Sequence, residues 1–126
     1  MKIIKTSKSP SAIGAYSQGI KANNFVFTSG QIGLNPLTGL LVKDTVEEEI
    51  EQALDNLENV LLAGGSSLKN IVKMNVYLTS LGDFELLNKI LLKRLNSQNL
   101  PARATVEVSR LPKDANVEID AIGEII

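Results

Sequence analysis

The stretch Thr45-Val46-Glu47-Glu48-Glu49-Ile50-Glu51-Gln52-Ala53-Leu54-Asp55-Asn56-Leu57-Glu58-Asn59-Val60-Leu61-Leu62-Ala63-Gly64-Gly65 reads as a capped amphipathic helix. Thr45 stands where an N-cap hydroxyl belongs, and Glu48 three residues on completes a capping-box pattern. Val46, Ile50, Ala53, Leu54, Leu57, Val60 and Leu61 recur at helical spacing, and Glu47, Glu49, Glu51 and Glu58 are expected mostly on the other side. Gly64-Gly65 ends the helix. The next segment, Ile71 to Leu78, alternates. Val72, Met74, Val76 and Leu78 are expected on one face and Ile71, Lys73, Asn75 and Tyr77 on the other, as in a strand.

Toward the C-terminus, a second helix is predicted from about Asp83, with Phe84, Leu87, Leu91 and Leu95 as its apolar stripe and Asn88 beside it. Pro101 opens a strand that runs to about Val108. A loop over Leu111-Pro112-Lys113-Asp114 leads to a last strand, Val117 to Ile126. Toward the N-terminus, Gln18 to Lys21 and Phe25 to Ser29 are strand-like. Asn23-Asn24 joins them as a tight hairpin, because Asn tolerates positive φ. Asn35-Pro36 and Thr38-Gly39 mark turns before a short extended piece at Leu40 to Val42.

The order is hairpin, helix, strand, helix, strand, strand. Right-handed strand–helix–strand crossovers place both helices on one face of a mixed sheet. The opposite face is then uncovered, and it is expected to carry residues such as Ile71, Tyr77 or Val117. A half-apolar bare face predicts self-association.

The 126 residues suit one α+β domain spanning 1–126, and 44% hydrophobic residues suffice for a core. A net charge of −1, with no dense Lys/Arg run, weighs against nucleic acid as a partner. The chain has no Cys and no His. Disulfides, thiol nucleophiles, imidazole bases and Cys/His metal sites are therefore excluded. The start of the chain shows no apolar run fit for a signal peptide, and no stretch approaches the roughly 20 apolar residues that span a bilayer. A cytoplasmic protein is expected.

Within Pro101-Ala102-Arg103-Ala104-Thr105-Val106-Glu107, alternation puts Arg103, Thr105 and Glu107 on one strand face. A guanidinium suits a planar carboxylate, because its fork donates two parallel hydrogen bonds. Spacing alone equally allows a surface ion pair with Glu107 or Glu118. Glu118 and Asp120 share a face of the last strand, and a partly buried Glu118 could serve as a base toward water. Thr28-Ser29-Gly30-Gln31 ends a strand, where Gly permits close backbone approach. Tyr16 offers a hydroxyl on the Gly14-Ala15-Tyr16 loop, and Asn88 an amide on a helix flank. Gly64-Gly65 is a helix stop and no phosphate loop.

Together these segments resemble the Rid (RidA/YjgF) family over essentially the whole chain. The most specific part is Pro101-Ala102-Arg103-Ala104-Thr105-Val106-Glu107-Val108-Ser109-Arg110-Leu111-Pro112-Lys113-Asp114, followed by Val117-Glu118-Ile119. Ile13-Gly14-Ala15-Tyr16-Ser17-Gln18-Gly19, Thr28-Ser29-Gly30-Gln31-Ile32, Leu54-Asp55-Asn56 and Asp83-Phe84 with Asn88 support it. The resemblance implies a chorismate-mutase-like α+β fold and a homotrimer whose sheets line a central β-barrel, with sites between subunits. It implies hydrolysis of 2-imino and 2-enamino acids such as 2-iminobutanoate and 2-iminopropanoate to 2-keto acids and ammonia, without cofactor or metal. These intermediates arise from Thr and Ser dehydratases, whose pyridoxal phosphate belongs to those enzymes.

Carried over, Arg103 matches the carboxylate-binding Arg of deaminating members and Glu118 the Glu that positions water. Tyr16, Ser29, Gly30 and Asn88 match cleft-lining positions. Thr105 stands where many members have Cys, which keeps a polar contact and loses thiol chemistry. Ala15 stands where many have Pro, which loosens the Tyr16 loop. The competing functions are a keto-acid-binding regulatory or chaperone-like trimer, and an endoribonuclease or translation inhibitor.

Overall fold

Local capping sets the first helix as expected. In the computed structural model, which describes all of residues 1–126, Thr45 has extended backbone angles and its side chain accepts a hydrogen bond from the Glu48 amide at 3.1 Å. Helix α1 (Val46–Ala63) follows, with Glu47, Glu48 and Glu49 in its first turn, where the helix dipole favours acids. It stops at Gly64-Gly65, and Gly65 has φ +91. The strands are β1 (Lys2–Ile4), β2 (Gly19–Ala22), β3 (Phe25–Thr28), β4 (Ile71–Leu78), β5 (Ala102–Glu107) and β6 (Val117–Glu124). Helix α2 (Phe84–Arg94) connects β4 to β5. No helix is long and apolar enough to cross a membrane.

All six strands form one mixed sheet in the order β1-β2-β3-β6-β4-β5. The β2–β3 hairpin turns at Asn23-Asn24, where Asn23 takes φ 51, as its side chain allows. β4 and β5 are parallel, as a strand–helix–strand crossover requires, and β6 runs antiparallel to both β3 and β4. β1 pairs antiparallel with β2, an edge strand too short for the sequence pattern to reveal. Leu40 to Val42 makes only an isolated bridge, Leu34 to Leu41, instead of a strand.

Both helices cover the same sheet face. Ile50, Leu54, Leu57, Val60 and Leu61 of α1 meet Leu87, Ile90 and Leu91 of α2 over Val26, Met74, Val76, Leu78, Val117, Ile119 and Ala121. Each fully buried aliphatic side chain contributes about 1.5–3 kcal/mol of transfer free energy. Across the rim, the Arg94 guanidinium of α2 bonds Asp55 at 2.8 Å and also pairs with Glu51 and Glu58, all on α1.

Five side chains lie elsewhere than the pattern implied. Ile71 and Val117 belong to the covered face and are buried, so of the three residues expected on the bare face only Tyr77 is there. The cause at Ile71 is a bulge. Pairing with β6 jumps from Ile71↔Gly123 to Lys73↔Ile122, which turns Ile71 inward and leaves Val72 exposed. Glu49 is fully buried, not solvated. Phe84 is over a third exposed at the start of α2 and lies outside the buried core. The bare face does carry apolar side chains: Ile3, Phe27 and Val106 are exposed on it and Ile20 and Ile122 half-buried.

Candidate functional site

Cross-strand partners project to the same side of a sheet, and neighbours along a strand alternate. Arg103 pairs with Met74 and Thr105 with Val76, so both lie on the helix-covered side. Glu118 pairs with Tyr77 and Asp120 with Asn75, so both lie on the bare side. The expected site residues are thus divided between two faces of one sheet, with β4 between them.

The first group surrounds Arg103. Its strand β5 is the outer strand of the sheet, so one flank is open. The guanidinium is half-buried at the edge of α2, with Cζ 5.5 Å from the Phe84 ring centroid. The ion pairs of the chain use Lys43 and Arg94 as cations and leave Arg103 without a carboxylate. Glu107, the neighbour that could have neutralised it, instead accepts a 2.9 Å hydrogen bond from the Leu81 amide. Burial lowers the Arg103 pKa, meaning that the cation has lost water without gaining a partner. A cavity of about 330 Å³ opens beside it, lined by Asn88, Leu91, Leu92, Leu95, Leu100 and Pro101. On the same strand face, the Thr105 hydroxyl is buried and makes no hydrogen bond. The unpaired Arg103 cation and the Asn88 amide thus border one cavity, and the buried Thr105 hydroxyl lies two residues along the same strand face, outside that lining.

The second group surrounds Glu118. The Ser29–Gln31 turn docks on β6 through two backbone hydrogen bonds between Gln31 and Ile119, at 2.8 and 3.0 Å. That places Gly30 against the Glu118 side chain: a Cβ on Gly30 would lie 2.7 Å from Oε2 and 2.8 Å from Cδ. Glu118 faces a cavity of about 260 Å³ whose wall includes Tyr16, Gly30, Ile32, Pro112 and Lys113. Its pKa is raised, first by desolvation and then by the Asp120 charge. Asp120 accepts a 2.9 Å hydrogen bond from Asn75 Nδ2. Tyr77 is also pushed up, by burial, by Asp120 and, less, by Glu118. A carboxylate with a raised pKa in a cleft is suited to exchange a proton with water. Replacing Gly30 by Ala is expected to displace this carboxylate or the turn beside it, which a crystal structure of the folded variant measures.

Tyr16 is half exposed at the rim of the Glu118 cavity, its hydroxyl 3.4 Å from the Ile13 amide. Ser29 lies outside both linings: its hydroxyl donates to the Ser17 carbonyl and clips the Tyr16 loop to the sheet. Gln18 holds the other side of that loop, with Oε1 accepting from the Thr6 amide at 2.7 Å and Nε2 donating to the Pro10 carbonyl at 2.8 Å. A larger concavity of about 630 Å³ lies beyond Tyr16, lined mainly by hydroxyls and loop backbone, with Lys5 its only charged side chain. It contains no proton-exchanging pair. No three acidic side chains converge as a metal site would need.

Phe84 and the Pro112-Lys113 wall were missed by sequence reasoning. Spacing to Leu87 and Leu91 puts Phe84 in the core stripe, while spacing to Asn88, four residues on, puts it on the flank that the structure shows.

Residues 6–125 match the endoribonuclease L-PSP family. The 2-iminobutanoate/2-iminopropanoate deaminase of Rattus norvegicus is 47% identical over 122 residues, covering 97% of this chain and 88% of that protein. The crystal structure of RidA from an Antarctic Psychrobacter superposes with a TM-score of 0.94 at 42% identity, covering 99% of this chain and 100% of that one. TdcF from E. coli, solved with bound serine, gives 0.91 at 39% identity, with both chains fully covered. The chain belongs to this family, that of the Rid (RidA/YjgF) proteins.

Proposed function

We propose that the chain is a hydrolytic deaminase of 2-imino and 2-enamino acids, acting as a cytoplasmic homotrimer with sites between subunits. The observation that carries this reading is Arg103: a half-buried guanidinium with no acidic partner, opening on a cavity. The name of the rat relative and the serine bound to TdcF supply the substrate class, a small 2-amino-type carboxylic acid. Because Arg103 and Glu118 leave opposite faces of one sheet, a site that uses both draws them from two copies. The bare apolar face offers the contact surface, and three such faces closing around an axis make the central barrel.

In the proposed reaction Arg103 grips the substrate carboxylate with two parallel hydrogen bonds, assisted by the Thr105 hydroxyl and Asn88. Tyr16 and the backbone at Gly30 line the opposite wall, with Ser29 holding it in place. The protonated imine is already electrophilic, so orientation supplies much of the rate. Glu118 accepts a proton from water as the oxygen bonds to the imine carbon, giving a carbinolamine. Return of that proton to nitrogen makes ammonia the leaving group; as the C–N bond breaks, the hydroxyl oxygen forms the C=O and passes its proton to the Glu118 carboxylate, releasing the 2-keto acid and ammonia.

Ammonia release from freshly generated 2-iminobutanoate tests the reading. Release well above the spontaneous rate is expected, and a rate equal to buffer contradicts it. The serine seen in TdcF also fits a keto-acid-binding trimer without turnover. Saturable 2-ketobutyrate binding with no imine hydrolysis marks that case. The family description mentions an endoribonuclease, but a net charge of −1 gives phosphate little attraction.

A further inference from the structure

Two polar side chains interrupt the apolar face of α1, Glu49 and Asn56, seven residues and two turns apart and both fully buried. Buried polar groups persist where they bind specific partners. Asn56 Nδ2 donates to the Ile32 carbonyl at 3.0 Å and the Leu34 carbonyl at 2.8 Å, and its own carbonyl accepts from Ser9. Glu49 makes the less expected contact. Its Oε2 accepts from the Asn116 backbone amide at 2.6 Å and its Oε1 from the Asn116 side-chain amide at 2.8 Å. A Cβ on Gly33 would lie 2.9 Å from Glu49 Cγ, so the Ile32–Leu34 segment rests directly on the same side chain.

Asn116 closes a turn that no L-residue adopts freely. Lys113 (φ 55, ψ 25) and Asp114 (φ 61) are consecutive residues in the left-handed region. Each such residue costs free energy and persists only when its surroundings hold it. Here the turn is held from both ends. Lys43 Nζ donates to the Asp114 carbonyl at 2.7 Å on the outside, and Glu49 holds Asn116 on the inside. The turn carries Pro112 and Lys113 into the wall of the Glu118 cavity, and Glu118 follows Asn116 by two residues.

We propose that Glu49 is a positioning residue for the proton-exchanging half of the site: through Asn116 it holds the Pro112–Asn116 turn and sets the placement of the Glu118 carboxylate. The inference rests on the deaminase reading and extends it to a residue buried in the helix layer, on the opposite sheet face from Glu118. Glu49 makes no contact with Arg103, so the two halves of the site separate kinetically. Loss of Glu49 moves kcat, and binding of the substrate carboxylate stays with Arg103.

The test uses wild type, Glu49→Ala, Glu49→Gln and Asn116→Ala in the ammonia-release assay, each checked for folding and assembly. Glu49→Ala is expected to lower kcat roughly tenfold or more while KM changes less than about threefold. Glu49→Gln, which keeps the shape and an acceptor, is expected to recover most of the loss. Asn116→Ala is expected to be intermediate, and to add little in the Glu49→Ala background because both act on one network. An active wild type with kcat unchanged in folded Glu49→Ala overturns the proposal and leaves the deaminase reading intact; so does a Gln variant as slow as the Ala variant. If Glu49→Ala does not fold, unchanged kcat in Asn116→Ala, whose side chain is partly exposed, overturns it equally. An inactive wild type overturns both readings together.

Discussion

Replacing Arg103 by Ala is expected to lower kcat/KM for 2-iminobutanoate by roughly 100-fold or more, since the lost pair of charge-assisted hydrogen bonds contributes about 3 kcal/mol or more. The fold has little stake in this side chain. Arg103 makes no ion pair, and its one distinctive intrachain contact is the Phe84 ring at 5.5 Å. A cation over an aromatic face at such a site contributes about 0.5–1 kcal/mol, and removing a desolvated charge offsets part of that. The melting temperature of Arg103→Ala should therefore stay within a few degrees of wild type while turnover collapses. Arg103→Lys should recover only part of the loss, because an ammonium keeps the charge without the planar fork. Kinetics and thermal melts on the three proteins check this.

Glu118→Gln is expected to lower kcat by roughly 100-fold or more, the usual range for removing a general base, with KM nearly unchanged. The pH profile gives the finer test. Desolvation, and after it the Asp120 charge, raise the Glu118 pKa in the free enzyme, so the acid limb of kcat/KM should fall above the usual carboxylate range. Asp120→Asn removes the smaller cause. The limb should then move to lower pH without reaching the value of a free glutamate. The linkage sign is also fixed. A carboxyl group whose folded pKa exceeds its unfolded value favours folding at low pH, and that contribution is lost as pH rises through the folded pKa. At neutral pH Glu118 therefore costs stability, and Glu118→Gln should melt higher than wild type as it loses activity, as strained functional sites commonly do.

The helices, the hairpin at Asn23-Asn24 and the parallel β4–β5 pair were legible because each rests on local periodicity or turn chemistry. The bulge at Ile71–Val72 was not, since a one-residue insertion leaves no compositional mark, yet it inverts two side chains. Glu49 was misjudged for a different reason. Helical spacing to Ala53 and Asn56 puts it on the buried face, but its charge argued for solvent, and only the Asn116 donors from 67 residues away reconcile the two. The site residues were readable as types: a fork for a carboxylate, an acid for water. Their separation was not, because it depends on which residue of β4 stands opposite Arg103 and which opposite Glu118.

That separation makes the central claim directly measurable. Arg103→Ala and Glu118→Ala chains, each inactive alone, can be denatured together in equal amounts and refolded as mixed oligomers. If each site takes its guanidinium from one copy and its carboxylate from another, about a quarter of the sites combine an intact Arg103 with an intact Glu118. Ammonia release should return to about that fraction of wild type. Mixed oligomers as inactive as their parents would contradict the account, since the two groups would then have to act within one chain or not together at all.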